Sequence, residues 1–122
     1  MLQLRPLDPV VPIAHQLGVT QSPVVLINVF TVDAKDVDAL LEAWAHDANW
    51  MKRQPGYIST QLHRGIGGSC VFLNYALWES VAHFREAFTH PEFMGALAAY
   101  PSSAVASPHL FSKVAVPNLC TA

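Results

Sequence analysis

The run CVFLNYALW, residues 70–78, is apolar on both faces except at Asn74. β-Branched and aromatic residues suit a strand, and apolar cover on both sides makes that strand central. Before it, Gly65-Ile66-Gly67-Gly68-Ser69 is a glycine-rich turn, and YISTQLHR (57–64) is an alternating, more polar edge strand. Further upstream, VVLINVFTV (24–32) is β-branched and bounded by Pro23 and Asp33, which predicts another strand. Between these strands Val37, Leu40, Leu41, Trp44, Ala48 and Met51 recur at helical spacing. Asp33 is the predicted N-cap, Asp36 and Asp38 favour the first turns, and Pro55-Gly56 stop the helix. After residue 78, Ser80 caps a helix that turns Val81, Phe84 and Phe88 inward. Pro91 restarts a helical run with Phe93, Leu97 and Tyr100 on one side, and SPHLFSKVAV (107–116) is the last strand.

The order β-α-β-β-α-β predicts an α+β, ferredoxin-like fold: a four-stranded antiparallel sheet, spatial order 4-1-3-2, with both helices on one face. The other face is left bare. The 122 residues are 52% hydrophobic and only 13% charged, about half the usual ~25%, which excludes disorder and leaves few charges to solvate a lone subunit. Two sheets packed back to back across a two-fold axis follow as the expected assembly. Val25, Ile27, Val71 and Leu73, or the set one residue on, would lie between the subunits.

A net charge of −2 and a pI near 6.3 give no field for nucleic acid or anionic lipid. No apolar run approaches the ~20 residues of a membrane span, and Pro6, Pro9 and Pro12 break the one candidate signal-peptide core. Two cysteines make no disulfide framework, so a cytoplasmic protein with reduced thiols is expected. Three segments are expected: a proline-rich segment (1–23) without helix or central strand, read either as an arm lying on the body or on a neighbour or as a disordered tail; the domain (24–116); and a short tail (117–122).

Gly65-x-Gly67-Gly68 joins two strands, whereas a dinucleotide loop opens a helix. No phosphate loop, zinc-protease helix or nucleophile elbow is present, and the six histidines lack ligand spacing on any one element. No metal, flavin or haem is therefore expected. What remains is an apolar pocket with a few placed polar groups. Asn74 and Trp78, four apart on one strand, point to the same face. A buried amide needs a partner, from either the fold or a ligand.

These pieces resemble the antibiotic biosynthesis monooxygenase (ABM) domain of the dimeric α/β-barrel superfamily. The resemblance runs over roughly residues 24–116. VVLINVFTV, the PGY after the first helix, and the strand-ending WES followed by VAHFREAF and PEF carry it. It implies homodimers that oxidise phenols and quinols to quinones with O2, without metal or flavin. In the branch that makes polyketide quinones, an Asn and a Trp four apart line the pocket with a Tyr from the next helix. Asn74 and Trp78 match the first two, and Phe84 stands at the third without the hydroxyl. The Arg of that branch falls on Ala98, leaving His83, Arg85 or Tyr100 to supply hydrogen bonds. In the haem-degrading branch Asn28 matches the strand Asn, but the Trp and axial His positions are Ala87 and Leu97, which disfavours haem.

The expected function is thus a cofactor-independent monooxygenase acting on a small phenolic, quinol or polyketide-type aromatic. Triplet O2 reacts slowly with closed-shell molecules, so the site must hold an electron-rich anion in a dry cavity beside a proton acceptor. Trp78, Phe72, Phe84, Phe88 and Phe93 are expected as aromatic walls and Asn74 as hydrogen-bond donor. His63 or His83 is the expected acceptor. Two alternatives stay open: a non-catalytic ligand-binding or stress-associated dimer, and an isomerase or cyclase on a related aromatic.

Overall fold

A computed structural model describes all 122 residues. The sheet has five strands in the order β1-β5-β2-β4-β3. Here β1 is Gln3–Leu4, β2 Val24–Thr31, β3 Tyr57–Arg64, β4 Val71–Trp78 and β5 Val105–Phe111. The four long strands are antiparallel, and their spatial order is the expected one, with β3 at one edge. The fifth strand is the addition. Gln3 and Leu4 run parallel to Val105 and Ala106 on the far edge.

Alternation decides which face is covered. Val24, Leu26 and Phe30 on β2, with Phe72, Ala76 and Trp78 on β4, are buried beneath the helices. These are α2 (Val37–Met51), α3 (Val81–Phe88) and α4 (Pro91–Ala96). The opposite face carries Val25, Ile27, Leu73 and Leu77, partly buried, and Val71 and Tyr75, exposed; no element of this chain packs over it.

Helix starts follow local chemistry. Ser80 caps α3 as expected, its Oγ accepting from the His83 N–H. The His90 imidazole accepts from the Glu92 N–H and Pro91 opens α4, where its missing donor is harmless. Asp33 does not cap by its side chain. Its N–H donates to Ser103 Oγ, which donates to Asp36, and a 3₁₀ turn over Ala34–Asp36 leads into α2. At the end of α2, Gly56 has φ +85° and the His83 ring fills the space a Cβ would need, so this position requires glycine.

Two expectations about the chain ends are corrected. Residues 1–23 contain one helical turn, α1 (Ile13–Gln16), because Pro6, Pro9 and Pro12 all precede it. The last strand spans 105–111 and not 107–116, and residues 112–122 are exposed. The N-terminal segment seals the outer edge of β5. Gln16 Oε1 accepts from the Leu110 N–H at 2.9 Å while its Nε2 donates to the Leu110 carbonyl at 3.0 Å. Between Gln16 and β1 lies Pro108, which has no donor to leave unpaired.

Phe84 has no solvent exposure and stacks between Trp78 and Phe88, with ring centroids 5.6 and 5.1 Å away. Replacing Phe84 by alanine is expected to lower unfolding free energy by about 3–5 kcal/mol in urea titration. A loss under about 1 kcal/mol would show that these rings do not anchor α3 to the sheet.

Candidate functional site

The helix-covered core is divided into two clusters. One gathers Phe30, Val37, Leu40, Ala43, Phe72, Leu97, Tyr100, Ala104 and Ala106. The other gathers Val24, Leu26, Ala76, Trp78, Val81, Phe84, Ala87 and Leu110. On β2 the boundary between them falls at Asn28, on β4 at Asn74 and on β5 at Pro108, and these three are direct register partners. Thr60 on β3, diagonal to Asn74, donates a hydrogen bond from Oγ1 to Asn74 Oδ1.

This row leaves hydrogen-bonding capacity unspent. With its oxygen occupied by Thr60, Asn74 has an amide NH2 that no protein acceptor uses. Asn28 Oδ1 is buried and has no partner. A cavity of about 50 Å³ opens beside Asn74 and Trp78, lined also by Leu26, Tyr57, Thr60, Trp44 and Met51. That is space for roughly one water molecule.

The remaining sequence-predicted residues are distributed more widely. Trp78, Phe84, Phe88 and Phe93 form one continuous aromatic chain, edge-to-face, stacked and tilted in turn, with centroid spacings of 5.6, 5.1 and 5.6 Å. Phe72 belongs to the other cluster, under the Arg64 guanidinium. His63 is exposed on the edge strand, one residue past Asn74's partner Leu62, and so faces the uncovered side. His83 Nδ1 lies 2.7 Å from Ser80 Oγ at the start of α3. Arg85 donates to the Leu17 carbonyl at 2.8 Å and so ties α3 to the N-terminal segment. Neither histidine lines the inner cavity. No three His, Cys, Asp or Glu side chains converge as a metal site. A larger cavity, about 790 Å³, lies on the uncovered face, with Val25, Ile58, Tyr75, Leu77 and Phe111 among its walls.

Sequence reasoning passed over Asp47. It is 6% exposed and its Oδ2 accepts a hydrogen bond from the Tyr100 hydroxyl at 2.7 Å. Burial raises the Asp47 carboxyl above the usual carboxylate range; the Tyr100 hydrogen bond and the His46 imidazole pull it down without offsetting the burial. Burial and the neighbouring carboxylate likewise hold the Tyr100 phenol well above its usual value. The signal was in the spacing. Val37, Leu40, Trp44, Asp47 and Met51 follow the 3-4-3-4 pattern of a buried helix stripe, and Asp47 alone among them is charged.

Residues 23–99 match the family model described as antibiotic biosynthesis monooxygenase. No curated protein matches. Among solved structures, SnoaB, a cofactor-independent oxygenase from Streptomyces nogalater, is 24% identical. Its TM-score is 0.71, over 80% of this chain and 99% of that one. A candidate monooxygenase from Shewanella loihica is 34% identical with a TM-score of 0.68, covering 81% and 100% of the two chains. A candidate antibiotic biosynthesis monooxygenase from Caulobacter crescentus shares the fold at 18% identity, TM-score 0.66, covering 78% and 92%.

The raised Asp47 carboxyl makes stability depend on pH with a definite sign. The native state holds this proton more tightly than the unfolded chain, so the residue's contribution is greatest in acid and is lost as pH rises through the native value. Asp47→Asn keeps an acceptor for Tyr100 and removes the buried charge. Urea titrations should find the variant gaining on the parent protein from about pH 3 to pH 8. A difference that does not change with pH would contradict the assignment.

Proposed function

The chain belongs to the antibiotic biosynthesis monooxygenase family, and from that premise we propose that it is a cofactor-independent monooxygenase acting on an electron-rich phenol, quinol or polyketide-type aromatic. The observation that carries this reading is the opposed Asn28–Asn74 pair. One residue has an unused donor and the other an unused buried acceptor; both lie on the helix-covered face, Asn74 lining the inner cavity with Trp78 and Asn28 directly across from Asn74. A phenolic ring offers the complementary groups: an oxygen that gains negative charge for the Asn74 NH2, and a hydroxyl for Asn28 Oδ1. No helix of the chain is long and apolar enough to cross a membrane.

The chemistry follows from the site. Loss of a proton gives the substrate anion, and the Asn74 amide stabilises the charge on its oxygen. The anion passes one electron to O2, and radical and superoxide combine into a C–O–O bond. Protonation and loss of water turn a ring C–H of the phenol form into C=O, with one oxygen atom in the product and the other in water. The walls of Leu26, Ala76, Trp78 and Met51 keep bulk water from the anion. A ring exceeds the space now open, so admission displaces the half-buried Trp44 and Met51 along α2.

The same reading makes the protein a homodimer, joined through the uncovered face around Val25, Ile27, Leu73 and Leu77. Sedimentation at micromolar concentration should give a dimer; a stable monomer would contradict it. Oxygen uptake with a panel of anthrones and dihydroxynaphthalenes should detect turnover. Asn74→Ala should then reduce kcat by about 10²–10³-fold with little change in KM. Trp78→Phe should be milder than Trp78→Ala, which also opens a cavity. If folded Asn74→Ala retains full turnover, the amide serves the fold alone.

A further inference from the structure

Polar residues stand at the boundary between the two core clusters on the helix side as well as on the sheet. On α2, Val37, Leu40 and Ala43 belong to the first cluster, while Trp50 and Met51 pack against the second. Asp47 stands between them, as Asn28 and Asn74 do below. The α2 residues that line the inner cavity are Trp44, Ala48 and Met51, the i−3, i+1 and i+4 neighbours of Asp47, so Asp47 lies directly behind that wall and meets a ring once Trp44 and Met51 give way. Tyr100, its hydrogen-bond partner, stacks on Phe30 at 6.3 Å, two residues along β2 from Asn28.

We propose that Asp47 is the proton acceptor of the oxidation, held in place by Tyr100 as a positioning residue. This rests on the oxygenase reading given above. The substrate O–H proton passes to Asp47 Oδ1, which makes no hydrogen bond in the protein; Oδ2 stays bound to Tyr100. The electron pair of the broken O–H bond remains on the substrate as the anion that reduces O2. Asp47 returns this proton to the terminal oxygen of the C–O–O⁻ intermediate, which regenerates the carboxylate; the hydroperoxide then loses water, made of its OH and the hydrogen on the attacked carbon, and leaves C=O.

The groups that act on this carboxylate are few. Tyr100 approaches from the turn after α4, and the exposed His46 on the same helix places Nδ1 at 3.8 Å from Oδ1. From the sheet, Phe30 and Phe72 bring no charge, and Arg64 stacks on Phe72 without pairing with Asp47. The His46 side chain itself is largely in solvent. A carboxyl raised by burial is a better acceptor from a phenol than an ordinary one, because its basicity is closer to that of the donor.

The test is oxygen uptake across pH with a substrate that the parent protein oxidises. Parent turnover should rise with pH along a limb set by Asp47. Asp47→Asn should lower kcat by about 10²–10⁴-fold, leave KM near the parent value and abolish the limb. Tyr100→Phe removes a hydrogen bond that favours the ionised carboxylate, so it should shift the limb to higher pH while the plateau survives. Should Asp47→Asn fold poorly, the Tyr100→Phe shift decides. An unchanged limb and rate in Asp47→Asn, or an unmoved limb in Tyr100→Phe, overturns the role of Asp47 and leaves the oxygenase reading standing. A parent protein that consumes no oxygen with any of the panel overturns the oxygenase reading first, and Asp47's role with it.

Discussion

Asn28 and Asn74 face each other across the two central strands where the helix-covered side of the sheet would otherwise be continuous hydrocarbon. Leaving a buried amide or carbonyl without a partner costs of order 1–3 kcal/mol, so such a row persists only if it is satisfied or used. Thr60 satisfies half of Asn74, and nothing in the chain satisfies Asn28 Oδ1. The two core clusters part at this interruption of the sheet, and the inner cavity opens beside Asn74.

The aromatic stack gives the divided core its stiffness. Trp78 is fixed from the edge strand by Tyr57, edge-on at 5.6 Å, and from the helices by Phe84. This cavity wall is therefore held by packing on two sides, while Trp44 and Met51 on the helix side are only half buried.

The body of the fold was legible because its signals are local. Period-two and helical spacings placed strands and helices, and the bare sheet face follows from topology alone. The fifth strand was not legible, since Gln3–Leu4 pairs through backbone groups that any residue carries, and prolines nearby argued against structure. In the site, Asn74 and Trp78 were readable from strand alternation. Histidine was favoured as acceptor by its ordinary basicity, yet His63 follows the alternation of β3 away from the helices and His83 is engaged with Ser80. Asp47 was hidden because its basicity depends on burial beneath Tyr100, a residue 53 positions away in sequence.

The central claim is that the ligand binds at the break between the two clusters and not in the larger cavity of the uncovered face. Side-chain amide resonances of Asn28 and Asn74, followed by NMR while a dihydroxynaphthalene is added without oxygen, test it directly. The account predicts saturable shifts at both amides and at the Trp78 indole N–H. Shifts confined to Tyr75, Leu77 and Phe111, with the asparagine amides unmoved, would contradict it.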